Sequence, residues 1–511
     1  MKKILFVLPL LLLFSCKEEF LDRGSLTQLA EGNFWQTEKD AQLGLNGVYE
    51  VLQARVMYGG NLNGTAGIPQ HDSFADNTFN NYKFEGPGNF VEARVDPATS
   101  FFNEFWTANY RGIARANNAI ANIERMPKSA ISDANRTALL GQARFLRGLF
   151  YMNLAIHYED VPLILAVQSL QEAYVPKNAN KEVSDQIIAD LKFAGEALPA
   201  TYPANQFGYA TKGAALSLLA RFQLYQKNYP EVVALTAQVL TLGYSLNASY
   251  DQLFTEAGEK SREVVFSVRF SQDQSDNGET FSATFTGIPK VNVQPMRNLV
   301  NEYYATDGLP ITRSPLYRAA TPKLNRDPRL AASIYFRDDI FLLDLNRPFT
   351  GNTATTFGQK KYIRNAPSPS GIGVGSPGGQ DFYVIRYADV LLMRAEALVE
   401  TNQLTEVYPL VNQVRTRVRM PKVEDVEGSN LSQAALRDIV RHERRVELAM
   451  EGLRFFDVKR WGEVEAAYKR ATDDRVAAYR PVYRGRMSEV FPIPQTEIDA
   501  NKNLVQNPVW K

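Results

Sequence analysis

The stretch Tyr387–Val418, YADVLLMRAEALVETNQLTEVYPLVNQVRTRV, decides the fold, because it has a second copy upstream. Thr211–Gly243, TKGAALSLLARFQLYQKNYPEVVALTAQVLTLG, follows the same plan of helix, turn and helix. Small Ala214, Ala215 and Ala220 admit a neighbouring helix, and Asn228-Tyr229-Pro230 makes the turn, with Pro230 suited to the first turn of the next helix. Superposing Ala220 on Ala395 also superposes Glu231 on Glu406, Leu235 on Leu410, Gln238 on Gln413 and Val239 on Val414. This is the logic of tetratricopeptide-like repeats. The copies are not in tandem, which predicts helix pairs brought into one stack from distant parts of the chain.

Upstream the same helical texture continues. Phe101–Arg125 places Phe102, Phe105, Trp106, Tyr110, Ile113, Ala116 and Ile120 on one face, and Asp133–His157 does so with Leu139, Ala143, Leu146, Phe150 and Leu154. The second of these ends before EDVPLI, where Pro162 favours an extended segment. A further helix is expected over Val183–Leu198, entered through a Ser-rich turn and stopped by Pro199. From about Tyr244 to Gln380 the chain turns rich in Gly, Pro, Asn, Asp and Ser, with short strand candidates such as Glu263–Phe270, EVVFSVRF. Arg364–Gln380, RNAPSPSGIGVGSPGGQ, is a candidate mobile loop. The fold class is therefore mostly α, with tetratricopeptide-like helix pairs and a loop-rich region of short strands.

The N-terminus carries a different message. A basic Met1-Lys2-Lys3 precedes the apolar run Ile4–Phe14, which is too short to span a bilayer, since a span takes about 20 residues. Ser15 and Cys16 follow, and Cys16 is the only cysteine in 511 residues. This is the form of a secretory signal. LFSC also resembles a bacterial lipobox, in which the cysteine is lipidated, with Phe14 bulkier than the usual residue there. An ordinary signal peptide followed by an incidental cysteine is the alternative. Lys17-Glu18-Glu19 resembles the acidic surface-export signal of Bacteroidetes lipoproteins, whereas a charged tether is its bland meaning. No second apolar run has membrane length, so the expectation is a chain held at the membrane by its lipid alone. The expected organisation is 1–15 signal peptide, 16–25 lipidated tether, then regions 26–243 and 244–511 forming one globule.

Composition and motifs narrow the function. Lys and Arg number 57 against 56 Asp and Glu, a balance that argues against a nucleic-acid-binding surface. HERRVE, from His442, is not a zinc-protease motif, because Val446 stands where the second histidine is needed. His71, His157 and His442 are scattered, so no multi-histidine metal site is expected. Gly373-Val374-Gly375-Ser376-Pro377-Gly378 spells a dinucleotide fingerprint without its strand and helix, and reads as coincidence. Asp273, Asp276 and Asn277 have the side chains of a calcium ligand set, although a solvated turn is the commoner meaning. No cofactor is expected, and structural calcium is the one metal left open. Glycosidase carboxylate pairs stay open as well, since their separation belongs to the fold.

The densest charge pattern is ERRVELAMEGLRFFDVKRW, Glu443–Trp461. Glu443, Glu447 and Glu451 repeat at four and Arg454, Asp457 and Arg460 at three, so one helix would bring them together. Interleaved Leu448, Leu453, Phe455 and Phe456 assign this ladder to architecture.

Several stretches taken together resemble the SusD/RagB family of Bacteroidetes nutrient-uptake lipoproteins. They are Phe102 with Trp106, Tyr110 and Ala116-Asn117; ARFLRGLFYMNLAIHYEDVPL from Ala143; TKGAALSLLARFQLY from Thr211; DFYVIRYADVLLMRAEAL from Asp381; the charge ladder; and FPIPQTEIDANKNLVQNPVW from Phe491. They stand in the family's order along essentially the whole mature chain. The resemblance implies a SusD-like helical fold with a loop-rich ligand face, an outer-membrane location, a SusC-type TonB-dependent transporter as partner, and a nutrient ligand bound without catalysis. That ligand is an oligosaccharide, or in some members a peptide. A repeat-type protein scaffold and a surface hydrolase remain as competing functions.

The shared motifs belong to the scaffold and do not name the ligand site. Sugars present an apolar ring face and a rim of hydroxyls, which suits exposed aromatics beside amides and carboxylates. DNTFNNYKFE, Asp76–Glu85, holds that mixture: Phe79, Tyr82 and Phe84 with Asp76, Asn77, Asn80 and Asn81. Its competing reading is a well-capped turn with buried aromatics. Tyr303, Tyr304 and Arg337 are weaker candidates. Trp35, Trp106, Trp461 and Trp510 all fall outside these loops, which keeps peptides or another small nutrient open.

Overall fold

The two repeat copies match down to their turns. In the computed structural model, Lys212–Tyr225 and Tyr229–Leu240 form the first helix pair, and Tyr387–Glu400 and Val407–Arg417 the second. Lys227 and Asn402, equivalent under the superposition, both sit at φ 59°. Asn228 N–H donates to Gln223 O (2.9 Å) and Lys227 N–H to Leu224 O (3.0 Å). Gln403 N–H to Leu398 O (2.8 Å) and Asn402 N–H to Val399 O (3.0 Å) repeat those bonds. Both helices thus end in the same Schellman turn, which satisfies carbonyls the helix leaves open.

The structure describes residues 34–59, 67–272, 277–282, 291–341, 347–351, 353–363 and 378–511. Cys16, Asp273 and Asp276 lie outside them, as does 364–377 of the loop candidate; Gly378 is described and bridges Glu279. Of the helices, ten organise the stack: α1 Glu38–Tyr49, α2 Ser100–Arg125, α3 Asp133–Tyr158, α4 Asn180–Ala197, α5 Lys212–Tyr225, α6 Tyr229–Leu240, α7 Tyr387–Glu400, α8 Val407–Arg417, α9 Gln433–Glu447 and α10 Arg454–Trp461. Neighbours pack from α2 to α6 in chain order. Then α7, from the distant copy, packs directly on α6 and carries α8 and α9. This is the expected stack of helix pairs. Residues of both halves of the chain, from Ala41 to Leu504, share one hydrophobic core.

Close approach has a visible cause. A Cβ on Gly112 of α2 would lie 2.4 Å from the Phe150 ring of α3. The buried pair Arg147–Asp190 (2.7 Å) ties α3 to α4. Helix α4 starts at Asn180, earlier than Val183, because the Asp160 carboxylate caps the Asn180 N–H from another segment (2.9 Å). Ser184 is therefore inside the helix, not in a turn before it.

The short strands are β1 Thr78–Asn80, β2 Val264–Val268, β3 Val293–Pro295, β4 Ile334–Tyr335, β5 Gly358–Gln359 and β6 Phe382–Arg386, together with a small Ile340–Phe341/Arg347–Pro348 pair. Each pairing is antiparallel: β1 with β3, β2 with β6, β4 with β5. β2 falls inside the expected EVVFSVRF, and β6 runs straight into α7, so the sheet pair is seated on the repeat.

The charge ladder is architectural but not one helix. α9 stops at Glu447, Met450 and Gly452 adopt φ 63° and 76°, and α10 begins at Arg454. A Cβ on Gly452 would sit 2.3 Å from Ile68 O, so the corner requires glycine. The corner still gathers the charges. Glu447 accepts from Arg329 (3.0 Å), Arg386 (2.6 Å) and Arg417, and Glu443 from Arg329 (2.6 Å) and Arg415 (2.9 Å). Glu451 accepts from Arg386 (2.7 Å) and Lys361 (2.8 Å). Burial opposes the charge on Glu447, but Arg417, Arg386 and Arg329 outweigh it and hold its carboxyl well below the usual range.

Candidate ligand-binding face

The stretch expected to meet the ligand divides in two. Its first half is interior. Asp76 is buried and accepts from Arg454 (2.8 Å) and Arg470 (2.6 Å), with Arg445 at 3.2 Å. Burial alone would raise its pKa, and these three cations instead lower it. Asn77 donates to Asp72 (2.9 Å) and accepts from Arg445 (3.0 Å). Phe79 meets Tyr479 edge to face at 4.9 Å, and Asn80 donates to Asn292 (2.9 Å). Asp76, Asn77, Phe79 and Asn80 therefore hold the fold together and offer nothing to a ligand at the surface. The aromatic is buried, as the competing reading had it, but Phe79 and Asn80 lie in strand β1 and not in a capped turn.

The second half surfaces. Asn81 N–H donates to Asn292 O (2.8 Å) and Tyr82 N–H to Asn292 Oδ1 (2.9 Å), which fixes the backbone as it leaves β1. Lys83 bonds Glu92 (2.5 Å) behind it. Asn81 is exposed, Tyr82 half-buried and Phe84 66% exposed, with the Tyr82 and Phe84 rings 6.1 Å apart and nearly perpendicular. These three make a polar–aromatic rim of the kind a sugar ring can stack on.

The remaining candidates do not join it in one site. Tyr303 is fully buried in a separate small core with Leu299, Leu330 and Val446, so it cannot contact a ligand. Tyr304 stacks on His442 at 3.7 Å and is half-buried; His442 in turn bonds Glu302 (2.9 Å). Arg337 is exposed beyond β4, whose partner β5 lies against β3, so it belongs to the far side of the same strand cluster. Asn292, which positions the rim, went unnoticed in the sequence, where nothing local marks its role.

The comparisons with known proteins agree with the fold. Residues 262–510 match the SusD family model, and residues 19–224 match a family described as starch-binding, associating with the outer membrane. The chain belongs to the SusD/RagB family. Two SusD-like proteins of Formosa agariphila are 26% and 27% identical to it. The first alignment covers 92% of this chain and 94% of the relative, the second 99% and 98%. A SusD-like carbohydrate-binding protein from Bacteroides fragilis superposes with a TM-score of 0.79 at 26% identity, covering 92% of this chain and all of the other. A second B. fragilis SusD-like structure reaches 0.80 at 24% identity over 95% of this chain and all of the other, which speaks for the fold alone. The helix pairs and the charge-lined corner are buried architecture, and Asn81, Tyr82 and Phe84 stand at the surface beyond β1.

Proposed function

We propose that this protein is an outer-membrane lipoprotein that captures an oligosaccharide at the cell surface and passes it, chemically unchanged, to a SusC-type TonB-dependent transporter. The observation that carries the reading is the match of residues 19–224 to a family described as starch-binding and associating with the outer membrane. The likeness to a B. fragilis carbohydrate-binding protein supports the same ligand class. The Asn81–Tyr82–Phe84 rim has the chemistry for it: ring faces for stacking and an amide for hydroxyls. Capture for delivery calls for reversible binding, with dissociation constants from about micromolar to millimolar, roughly −8 to −4 kcal/mol.

Calorimetric titration of the mature chain against oligosaccharides tests the reading. Saturable binding without product is expected, and Tyr82→Ala or Phe84→Ala should weaken it about tenfold with melting unchanged. Unaltered titrations for both variants would remove the rim as the site. Turnover by purified protein would overturn non-catalytic capture. The anchor has its own test. Cys16→Ala should release the protein from membranes of cells lacking the transporter, since no described helix is long and apolar enough to cross one. Retention of Cys16→Ala there would sink the lipoprotein assignment.

A further inference from the structure

A concave surface that takes no residue from the 76–85 loop lies between the C-terminal half of α1, the loop joining α4 to α5, and the end of β2. A cavity of about 310 Å³ is walled there by Asn46, Tyr49, Gln53, Phe207, Tyr209 and Arg269. A neighbouring hollow of about 210 Å³, reached by Tyr202 and Tyr244, shares the Phe207–Tyr209 ridge. Together they fall within the range of roughly 300–1,000 Å³ typical of small-molecule sites.

The walls are fixed before any ligand arrives. Tyr49 OH donates to Gln142 Oε1 (3.2 Å) and accepts from the Ala210 N–H (2.9 Å). Gln142 donates to Tyr202 OH (3.3 Å), and Tyr209 OH donates to Asn46 Oδ1 (3.1 Å). The Tyr209 ring lies 5.6 Å from Tyr49 and 5.9 Å from Tyr202. The Arg269 guanidinium covers Phe207 at 4.8 Å from the ring centroid and donates to Phe207 O (3.2 Å). Gly208, at φ 107°, permits this: a Cβ there would meet Arg269 Cδ at 2.4 Å. Phe207 nevertheless stays 38% exposed, and Asn46, Asn205 and Gln206 are exposed around it. A preorganised set of aromatic faces ringed by amides and one guanidinium loses little freedom on binding.

We infer that this cleft is a second glycan-binding site. One pyranose ring stacks on the Phe207–Tyr209 ridge, its hydroxyls bond Asn46, Gln206 and Arg269, and the next ring occupies the hollow on the far side. None of its wall residues belongs to the Asn81–Phe84 rim, so the two sites can be altered independently. The ligand class rests on the glycan reading above; the place of the site does not. The sequence signal was present in TYPANQFGY, Thr201–Tyr209, which has the aromatic–amide mixture that drew attention to Asp76–Glu85.

Affinity electrophoresis and calorimetry of the mature chain with starch, laminarin and pectin test this. For whichever polysaccharide the unaltered protein binds, Phe207→Ala and Arg269→Gln should each weaken binding about tenfold. Phe84→Ala combined with either should weaken it further than each alone. If Phe207→Ala lowers the melting temperature, Asn205→Ala with Gln206→Ala, confined to exposed side chains, gives the same comparison on a fully folded protein. Unchanged binding by the cleft variants, where the unaltered protein binds, overturns the cleft alone. No binding of any polysaccharide by the unaltered protein overturns the glycan reading and the cleft with it.

Discussion

The helix-pair stack and the loop side of this protein are built by opposite means. In the stack, helices of 8 to 26 residues carry their own hydrogen bonds, and the two repeat copies close with the same turn at Lys227 and Asn402. On the loop side no described strand exceeds five residues, and several of the contacts that hold this side come from distant parts of the chain. Asn80 meets Asn292 across 212 positions, and Arg445 reaches Asn77 across 368. The stack is thus locally encoded and the loop side is held from outside itself. The two meet at the α9–α10 corner, whose arginines reach down to Asp76 and whose glutamates anchor β6 through Arg386.

The hardest way to break that arrangement is to remove a shared acid. Glu447→Ala would leave Arg329, Arg386 and Arg417 without their common carboxylate in the interior. Breaking a buried pair by deleting one partner costs about 3–5 kcal/mol, because the stranded charge stays buried. Thermal or urea unfolding should show a loss of that order. A loss below about 1 kcal/mol would mean that the corner is solvated and does not join the two regions.

The comparison explains what could be read from the sequence. Helices α2, α3, α5 and α7 were legible because their apolar residues recur within one turn, and the repeat was legible because both copies need the same turn. The start of α4 was missed because its cap, Asp160, lies in another segment. The break between α9 and α10 was missed because Glu443 to Arg460 keeps a helical spacing across it, while Ile68 O, which demands Gly452, is far away in sequence. At the loop side, composition singled out ten residues of mixed aromatic and polar character but could not say which of them faced out. Phe79 is interior because Tyr479 packs on it from a distant segment, whereas Phe84 meets the neighbouring Tyr82 ring and stays exposed.

pH separates the regions next. Glu302, beside the corner, is opposed by burial but brought down to about 2 by Arg445 and His442, and Glu443 is lowered by Arg329 and Arg415 against its burial. Folded values below the unfolded ones mean stability present above about pH 4.5 and lost as pH falls toward 2. Glu259, near the strand pair β2–β6, shifts the other way: burial, then the charge of Asp381, raises it. Its contribution is present below its ordinary value of 4.5 and is lost as pH rises through its folded value. Unfolding followed from pH 3 to pH 9 should therefore show an acid limb unaffected by Glu259→Gln and, as pH rises from 4.5 to about 8, an alkaline-going decline that Glu259→Gln reduces. An alkaline decline identical in the variant would assign it elsewhere.

The smallest expected effect tests the repeat itself. Lys227 and Asn402 occupy the same left-handed position, but their side chains tolerate it differently. Asparagine enters that region readily, whereas for lysine the Cβ approaches the following carbonyl at a cost of about 1–2 kcal/mol. Glycine removes that clash but brings more chain entropy to the unfolded state. Lys227→Gly should therefore stabilise by about 0.5–1 kcal/mol, and Asn402→Gly by a few tenths at most. Neither change touches the buried charges or the loop side, so ligand titrations should not move. If Lys227→Gly instead destabilises, then Lys227 makes a side-chain contribution larger than its backbone strain. The two turns would then share a geometry without sharing an energetic role.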